Sequence, residues 1–278
     1  MSERPLVIYS RLYDVDCGSS EFSARKFALT AEFLRERCAF VAPLEPSRSE
    51  LLLAHDAQWT DKVLSGRLSR LEEDRLELPF TPAVAQAHRL AAGGTLLAVR
   101  HAIERGVGLH CGGGSHHAFR DHGEGYCAIN DLAIAALKLR AEGWARRVAI
   151  VDLDAHQGNG TASILRREKD ILTFSMHNRE IYPAKKEKSW LDMELAPGIG
   201  DAEYAEKLKG GLQETLKAKP ELVLYQAGVD PWERDQKGGL KLTDQGLLER
   251  DQLVREACAA AAVPVAVTLG GGYGPSPE

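Results

Sequence analysis

Closely spaced cysteines are missing from this sequence of 278 residues. The five cysteines lie far apart, and no Cys-x-x-Cys motif occurs among Cys17, Cys38, Cys111, Cys127 and Cys258. This spacing argues against a disulfide framework and against a zinc finger, since each needs patterned cysteines. We expect a reducing compartment, and hence a cytoplasmic protein.

Long apolar runs and an excess of basic residues are missing as well. No stretch of about 18 apolar residues predicts a membrane span. The first residues, Met1–Pro5, lead into an apolar segment without the hydrophobic region of a signal peptide. The net charge of −5 and the pI near 6.0 provide no basic field of the kind that binds nucleic acid. We expect neither a membrane span nor direct nucleic-acid binding; the sequence carries no signal for an oligomeric state.

Apolar segments with strand character alternate with segments of helical periodicity, and 44% of the residues are apolar. Strands are predicted at 6–10, 107–111, 148–153, 171–176, 221–226 and 263–269. Helices are predicted at 24–37, from 47, within 64–80, and at 81–105, 129–142, 161–167, 202–218 and 247–261. This alternation predicts one α/β domain over 1–278, with a mostly parallel central sheet and helices on both faces. The pair Gly93-Gly94 inside a helix indicates either close helix packing or a local weakness.

The stretch Asp152–Gly160 reads Asp-Leu-Asp-Ala-His-Gln-Gly-Asn-Gly and follows an apolar strand. In an extended chain Asp152, Asp154 and His156 would share one face and converge. Two neighbouring carboxylates repel one another, and a divalent cation removes that repulsion. The pattern favours a metal site; the alternative is a polar strand end with a helix cap and a salt bridge.

Three other predicted strands also end in reactive residues. Their ends carry His116-His117, Ala227-Gly-Val-Asp230 and Gly270-Gly-Gly-Tyr273. Each alone has a structural explanation, such as a hydrogen-bonded loop or a sharp turn. Ligands bind beyond the carboxyl ends of parallel strands, so we expect the four ends to meet. Asp154, His156 and Asp230 would bind the metal, the histidine pair would move a proton, and Tyr273 would donate to an oxyanion. These parts describe metal-assisted hydrolysis of an amide.

The chain from Pro5 to Gly274 resembles the zinc-dependent histone deacetylases, together with the acetoin-utilisation proteins and acetylpolyamine amidohydrolases. The shared motifs are Gly-Gly-Gly-Ser-His116-His117, Gly125-Tyr126-Cys127, Asp152-Leu-Asp154-Ala-His156-Gln-Gly-Asn-Gly160, Ala227-Gly-Val-Asp230 and Gly-Gly-Gly-Tyr273. The variants Gln157 and Asn159, with Tyr-Ser-Arg at 9–11 and Glu180-Ile-Tyr-Pro183, look most like the class IV branch. The resemblance implies an arginase/deacetylase-like fold.

The resemblance also implies roles for individual residues. The zinc ligands would be Asp154, His156 and Asp230, with iron(II) as an alternative metal. His116 would pair with Asp152, and His117 would act as general base and then as general acid, with uncharged Asn159 as its partner. Tyr273 would polarise the scissile carbonyl. The tunnel for an acyl-lysine side chain would be walled by Gly125, Tyr126 and Tyr182. A structural potassium ion would bind near Asp152, Asp154, His156, Ser175 and Met176.

The implied activity is removal of acetyl or longer acyl groups from lysine side chains of a peptide or protein. Alternatives are a long-chain deacylase, a hydrolase of small acetylated amines, a manganese hydrolase of the arginase type and a non-catalytic acyl-lysine binder. Lys237 falls near the tunnel rim, where acetylpolyamine hydrolases have a glutamate, and its charge argues against polyamines. The arginase type lacks support because Asn159 replaces the second aspartate that its metal cluster needs.

Overall fold

A computed structural model describes residues 4–276, in which eight strands form one sheet. Every strand pair is parallel, and the order across the sheet is β2-β1-β3-β8-β7-β4-β5-β6. The strands are β1 Leu6–Ile8, β2 Ala39–Val41, β3 Val107–His110, β4 Val148–Asp152, β5 Ile171–Asn178, β6 Leu191–Leu195, β7 Leu222–Gln226 and β8 Val265–Thr268. The predicted parallel α/β architecture is confirmed. The two ends of the predicted domain, 1 and 278, lie outside the described residues.

Helices connect all the strands except β5 and β6, and side chains at several helix N-termini cap the helices. They are α1 Arg25–Leu34, α2 Arg48–Ala54, α3 Ala57–Ser65, α4 Arg70–Leu76, α5 Pro82–Arg105, α6 Asp131–Ala141, α7 Asn159–Leu165, α8 Asp201–Lys217 and α9 Asp244–Ala260. The capping box that the sequence predicts at Ser47 and Glu50 is present before α2. Thr81 caps α5, with Pro82 in its first turn, where a missing N–H costs nothing.

The central sheet is covered on both faces. Alternate residues of a strand point to opposite faces, and this alternation divides β4 between two cores. Val148 and Ile150 belong to one buried cluster, which includes Val99 of α5 and much of α6. Ala149 and Val151 belong to another, built with α8 and α9. Because both faces of β4 are buried, its sequence is a continuous apolar run rather than an alternating one.

The sequence-based assignment misses both edge strands. β2 has three residues, and β6 alternates acidic with apolar residues and is largely half-exposed. An edge strand that is covered on one side lacks the apolar run that reveals a central strand. The surface helix and loop predicted within 64–80 are present, with α4 at 70–76, whereas α3 at 57–65 was not predicted.

The sheet order brings together the strand ends that carry reactive residues. β3, β8, β7 and β4 are consecutive neighbours in the middle of the sheet. All run in the same direction, so the segments that follow them leave from one edge. The expectation that the four strand ends meet is therefore correct. All five cysteines lie in the described part, and none forms a disulfide. Within 4–276 there is no helix with the length and apolar character needed to cross a bilayer.

The glycine pair in α5 allows close packing. A Cβ atom on Gly93 would lie 1.8 Å from the backbone carbonyl oxygen of Leu44, and one on Gly94 would lie 2.2 Å from the His110 ring. Neither distance is compatible with a real side chain. Of the two explanations left open by the sequence, close packing is the correct one.

We predict that Gly93→Ala lowers the free energy of unfolding by about 1–3 kcal/mol, because the Leu44 backbone must move. Gly210→Ala in α8 is the matched control, since its Cβ would meet no atom within 4 Å. Its better helix propensity should raise stability by up to about 1 kcal/mol. Urea denaturation of both variants measures the difference. Equal changes in the free energy of unfolding of the two variants would show that Gly93 is not needed for packing.

Candidate active site

The candidate metal ligands Asp154 and His156 lie in a turn after Asp152 rather than in an extended strand. β4 ends at Asp152, and the next residues bend away before α7 begins at Asn159. Asp152 Oδ1 accepts from the Asp154 backbone N–H at 3.2 Å, and Asp154 Oδ1 accepts from the His156 N–H at 3.0 Å. The expectation of one shared strand face is therefore wrong. Short polar side chains that bond to the backbone two residues ahead favour turns over strands.

Asp154, His156 and Asp230 nevertheless form a compact buried cluster. One donor atom from each residue lies within 4.8 Å of the others. His156 Nδ1 is 3.0 Å from Asp154 Oδ1 and 2.9 Å from Asp230 Oδ2. Asp230 arrives from the segment after β7, and its Oδ1 accepts from the Ala155 N–H at 2.7 Å. Residues 74 positions apart are thus fixed around one point.

The chemistry of these donors fits a divalent cation. The outer oxygen of Asp154 is already satisfied by Gln226 Nε2 at 2.8 Å and the Gly271 N–H at 3.0 Å. The inner oxygens of Asp154 and Asp230 both face one histidine nitrogen, which carries at most one proton. Without a cation, burial and the Asp154 carboxylate raise the pKa of Asp230. Two carboxylates and an imidazole are ligands that zinc and iron(II) accept, with positions left for water and substrate.

The tandem histidines lie beside this cluster with different partners. The His116 and His117 ring centroids are 4.0 Å apart. His116 Nδ1 is 2.7 Å from Asp152 Oδ2, and His117 Nδ1 is 2.8 Å from Asn159 Oδ1. The structure thus brings together both predicted pairs.

These different partners separate the protonation of the two imidazoles. Burial lowers the pKa of His116, but the Asp152 and Asp154 carboxylates outweigh burial and raise it to about 9. Burial and the charges of His116 and His156 hold the pKa of His117 well below its usual value. One imidazole therefore tends to carry a proton while its neighbour is free to accept one, a division typical of acid–base sites.

Tyr273 closes the opposite side. Its ring centroid is 6.0 Å from that of His156, and the ring planes are nearly perpendicular. Asp235 Oδ2 accepts from the Tyr273 backbone N–H at 2.5 Å and fixes the segment after β8. Burial and the nearby Asp154 and Asp230 carboxylates raise the Tyr273 pKa well above its usual value. The phenol stays protonated and can donate a hydrogen bond.

An outer pocket of about 390 Å³ leads to these groups and contains all three predicted wall residues. The Tyr182 ring stands edge-on to His117 at 4.9 Å, and the Tyr126 ring is 5.9 Å from Tyr273. A Cβ on Gly125 would lie 2.9 Å from the His117 ring, and its φ of +53° suits glycine. Lys237 also lines this pocket and forms an ion pair with Glu21.

An inner cavity continues beyond His116, His117 and Tyr273. It is lined mainly by apolar side chains. Ala87 and Ala91 of α5 form part of the wall, together with Val15 and Leu78. This cavity was not predicted, because its wall is assembled from segments distant along the chain.

The remaining predicted positions are those of the potassium site. Asp152 on β4 pairs in register with Ser175 on β5, and Met176 follows it. All five residues of this set are buried: Asp152, Asp154, His156, Ser175 and Met176. The structure therefore brings these residues near one another, and potassium binding stays a prediction.

Three positioning residues escaped the sequence analysis. Gln226 ends β7 and donates to Asp154, as described above. The buried guanidinium of Arg250 on α9 donates to the carbonyl oxygens of Gly228 at 2.5 Å and Ala227 at 3.3 Å. Gln157 Nε2 donates to the Glu187 carbonyl oxygen at 2.7 Å. Gln226 carried a signal as a polar residue closing an apolar strand, and Gln157 as a variant within the motif after β4, whereas Arg250 carried none.

Comparisons with known proteins agree with this geometry. An uncharacterised protein of Picosynechococcus sp. is 41% identical over 232 residues, which cover 83% of this chain and 77% of the relative. Histone deacetylase 2 of Arabidopsis thaliana is 33% identical over 290 residues, covering 96% and 74%. The crystal structure of the HDA15 HD domain superposes with a TM-score of 0.80 at 25% identity, covering 96% of this chain and 86% of that one.

The model of the histone deacetylase domain family matches residues 21–277. This match spans nearly the whole chain and includes every strand end of the site. With the relatives and the shared fold, it confirms the resemblance read from the motifs. The chain belongs to the histone deacetylase family, a family of metal-dependent deacetylases within the superfamily that includes the acetoin-utilisation proteins.

Proposed function

We propose that this protein hydrolyses the amide bond of acyl-lysine side chains with the help of a bound divalent metal ion. The observation that carries the proposal is the convergence of three groups at the base of one pocket. A buried Asp–His–Asp cluster, a tandem histidine pair and the half-buried Tyr273 surround the same space. Amide hydrolysis needs an activated water, a proton carrier and an oxyanion donor, and this site offers a residue for each.

Asp154, His156 and Asp230 would hold the metal, for which zinc is our first choice and iron(II) the second. A divalent cation, when bound there, lowers the pKa of a water molecule and polarises a carbonyl oxygen. Gln226 and the Gly271 N–H hold the Asp154 carboxylate in position for this task. A potassium ion beside Asp152 and Ser175 would offset the acidic charge behind the ligands.

The neighbouring side chains would handle protons and charge. His117 accepts the proton of the attacking water and later gives it to the leaving amine. His116, paired with Asp152, stabilises negative charge and orients the water. Tyr273 donates a hydrogen bond to the carbonyl oxygen as negative charge develops on it.

The outer pocket suits the long aliphatic stem of a lysine side chain. Tyr126 and Tyr182 offer apolar ring surface, and Gly125 leaves room for the stem to pass beside His117. Lys237 adds positive charge at the same pocket. Because Lys237 stands where acetylpolyamine hydrolases have a glutamate, an acyl-lysine peptide fits better than an acetylated polyamine.

A longer acyl group is the second candidate, and the inner cavity favours it. The cavity begins at the catalytic groups and ends among apolar residues of α5. An alkyl chain of several methylenes would gain about 0.8 kcal/mol for each CH₂ buried there. The class IV-like assignment points the same way and stays a prediction.

We predict that the metal-loaded protein turns over acetyl-lysine and myristoyl-lysine peptides, and that Ala87→Phe separates them. A phenyl ring in the inner cavity should lower kcat/KM for the myristoyl peptide at least about tenfold, equivalent to a few lost CH₂ contacts. For the acetyl peptide, kcat/KM should stay within about twofold of the wild-type value, since the contacts of the short acetyl group are unchanged. Mass spectrometry of the released peptide provides the assay.

Ala83→Phe is the control for this experiment, because Ala83 lies on the same helix but is exposed. Equal loss for both peptides would contradict an acyl chain in the cavity. Binding of both peptides without turnover by the metal-loaded wild-type protein would favour the non-catalytic alternative over the proposed function.

We predict that Tyr273→Phe lowers kcat on the order of 10²–10³-fold, the effect of removing one oxyanion donor. Because the phenol makes no contribution to the ligand set, the variant should keep its full metal content. Steady-state kinetics and elemental analysis check the two halves separately. Unchanged kcat would remove Tyr273 from the mechanism.

We predict that Asp154→Ala loses stoichiometric zinc after reconstitution and desalting, because one of three protein ligands is gone. His117→Ala is the control: it should keep zinc and yet lose turnover, since His117 lies outside the ligand cluster. Elemental analysis measures zinc per chain. Full zinc content in Asp154→Ala would mean that the metal lies elsewhere.

A further inference from the structure

Glu124 lies immediately before the tunnel residue Gly125, and its carboxylate is mostly buried. Its side chain is 16% exposed. Glu124 Oε1 accepts from Asn159 Nδ2 at 2.7 Å and from the Tyr182 hydroxyl at 2.8 Å. Backbone hydrogen bonds in both directions between Glu124 and Cys127 hold the main chain in a tight turn. A rigid segment therefore presents this carboxylate to two residues of the site.

The carboxylate is ionised under working conditions. Burial raises its pKa, but the nearby His122 ring and the hydrogen bonds from Tyr182 and Asn159 outweigh burial and lower the pKa to about 2. Arg75 lies 3.5 Å and His122 lies 3.6 Å from the other carboxylate oxygen. An ionised carboxylate accepts hydrogen bonds and cannot donate one.

That one-way character determines how Asn159 is oriented. An asparagine side chain has one donating and one accepting end, and the two are related by a 180° flip. Since Glu124 can only accept, the Asn159 amide must turn its NH₂ group toward Glu124. Its carbonyl oxygen then points at His117 Nδ1, 2.8 Å away.

The orientation of Asn159 in turn selects the tautomer of His117. A carbonyl oxygen accepts, so His117 Nδ1 must carry the hydrogen. In a neutral imidazole the other nitrogen, Nε2, is then left with its lone pair. Nε2 is the ring nitrogen that is not engaged by Asn159, and it is available to take a proton.

We propose that Glu124 is a positioning residue that fixes the proton-accepting tautomer of His117 through the amide of Asn159. The inference rests on the proposed function of His117 as the proton carrier. It also accounts for an uncharged residue at position 159, because the carboxylate of Glu124 lies behind the Asn159 amide and acts on His117 through it. The same carboxylate oxygen anchors Tyr182, so the tunnel wall and the proton carrier share one support.

We predict that Glu124→Gln lowers kcat for an acetyl-lysine peptide on the order of 10- to 100-fold, by removing most of the benefit of a correctly protonated base. The glutamine amide can pair with either orientation of Asn159, so the preference for one tautomer is lost. KM should change less than about threefold, because the shape of the side chain is kept.

The sharper test places a carboxylate directly behind His117. In the double variant Asn159→Asp with Glu124→Gln, the aspartate can only accept and again requires a hydrogen on His117 Nδ1. The glutamine NH₂ group can donate to that aspartate. We expect the double variant to regain at least about fivefold of the kcat lost in Glu124→Gln, since acceptor-only character at position 159 is what selects the tautomer. If the kcat loss of the double variant equals the product of the losses of the two single variants, the proposal is overturned.

A readout that needs no turnover separates this inference from the proposed function. Nitrogen-15 NMR of histidine-labelled, zinc-reconstituted protein identifies the tautomer of His117, whose signals are assigned by their loss in His117→Ala. Wild-type protein should show the Nδ1–H form, and Glu124→Gln should show a mixture. If the wild type is inactive but Glu124→Gln still changes the tautomer, only the proposed activity is contradicted. If both proteins show the same tautomer, the role of Glu124 is contradicted.

Tyr182→Phe is the matched control for the second bond of Glu124. It removes the Tyr182 hydroxyl and leaves the contact between Glu124 and Asn159 intact. We expect its main effect on KM, with the His117 tautomer as in the wild type. If Tyr182→Phe reproduces both the kcat loss and the tautomer change of Glu124→Gln, Glu124 acts through the tunnel wall and the proposal is wrong.

Discussion

The constraint on which the site depends is the confinement of like-charged groups in a buried space. Asp152, Asp154 and Asp230 are each at most 3% exposed and lie around two histidines. Burying carboxylates is costly unless each charge is paired or hydrogen-bonded. The surrounding structure satisfies this demand with backbone N–H groups, with the Gln226 amide and with His116, while the inner oxygens of Asp154 and Asp230 both lie close to His156 Nδ1. The cluster that remains is one that could hold a metal ion.

A parallel sheet solves the geometric half of the same problem. Four neighbouring strands end at one edge, so segments from distant parts of the chain each contribute one or two groups. The buried strands supply rigidity, and the turns after them supply direction. Arg250 shows how far the support extends, because a charge on a helix behind the sheet holds the two carbonyl groups that precede the Asp230 turn.

Much of this arrangement is predictable from sequence, and the rest has physical reasons for escaping it. Central strands are recognisable as apolar runs. The turn beginning at Asp152 carries two aspartates and a histidine, which packing does not explain. The edge strands are half-exposed, so β6 shows no such run. Contacts such as that of Glu124 with Asn159 join residues 35 positions apart. Their partners depend on how loops meet in space, and a single glutamate before a glycine gives no sign of this.

The two variant residues in the motif after β4 have complementary effects. Gln157 binds the backbone of Glu187 and the carboxylate of Asp192, and so anchors the segment that carries Tyr182. Asn159 reaches in the other direction, to Glu124, which also binds Tyr182. Tyr182 is therefore tied twice to the turn that carries Asp154 and His156. Amides suit this task because each donates and accepts at once, whereas a second carboxylate at position 159 would face Glu124 with repulsion. The uncharged motif and Glu124 are best understood as one unit, in which the charge has moved from the partner of His117 to the residue behind that partner.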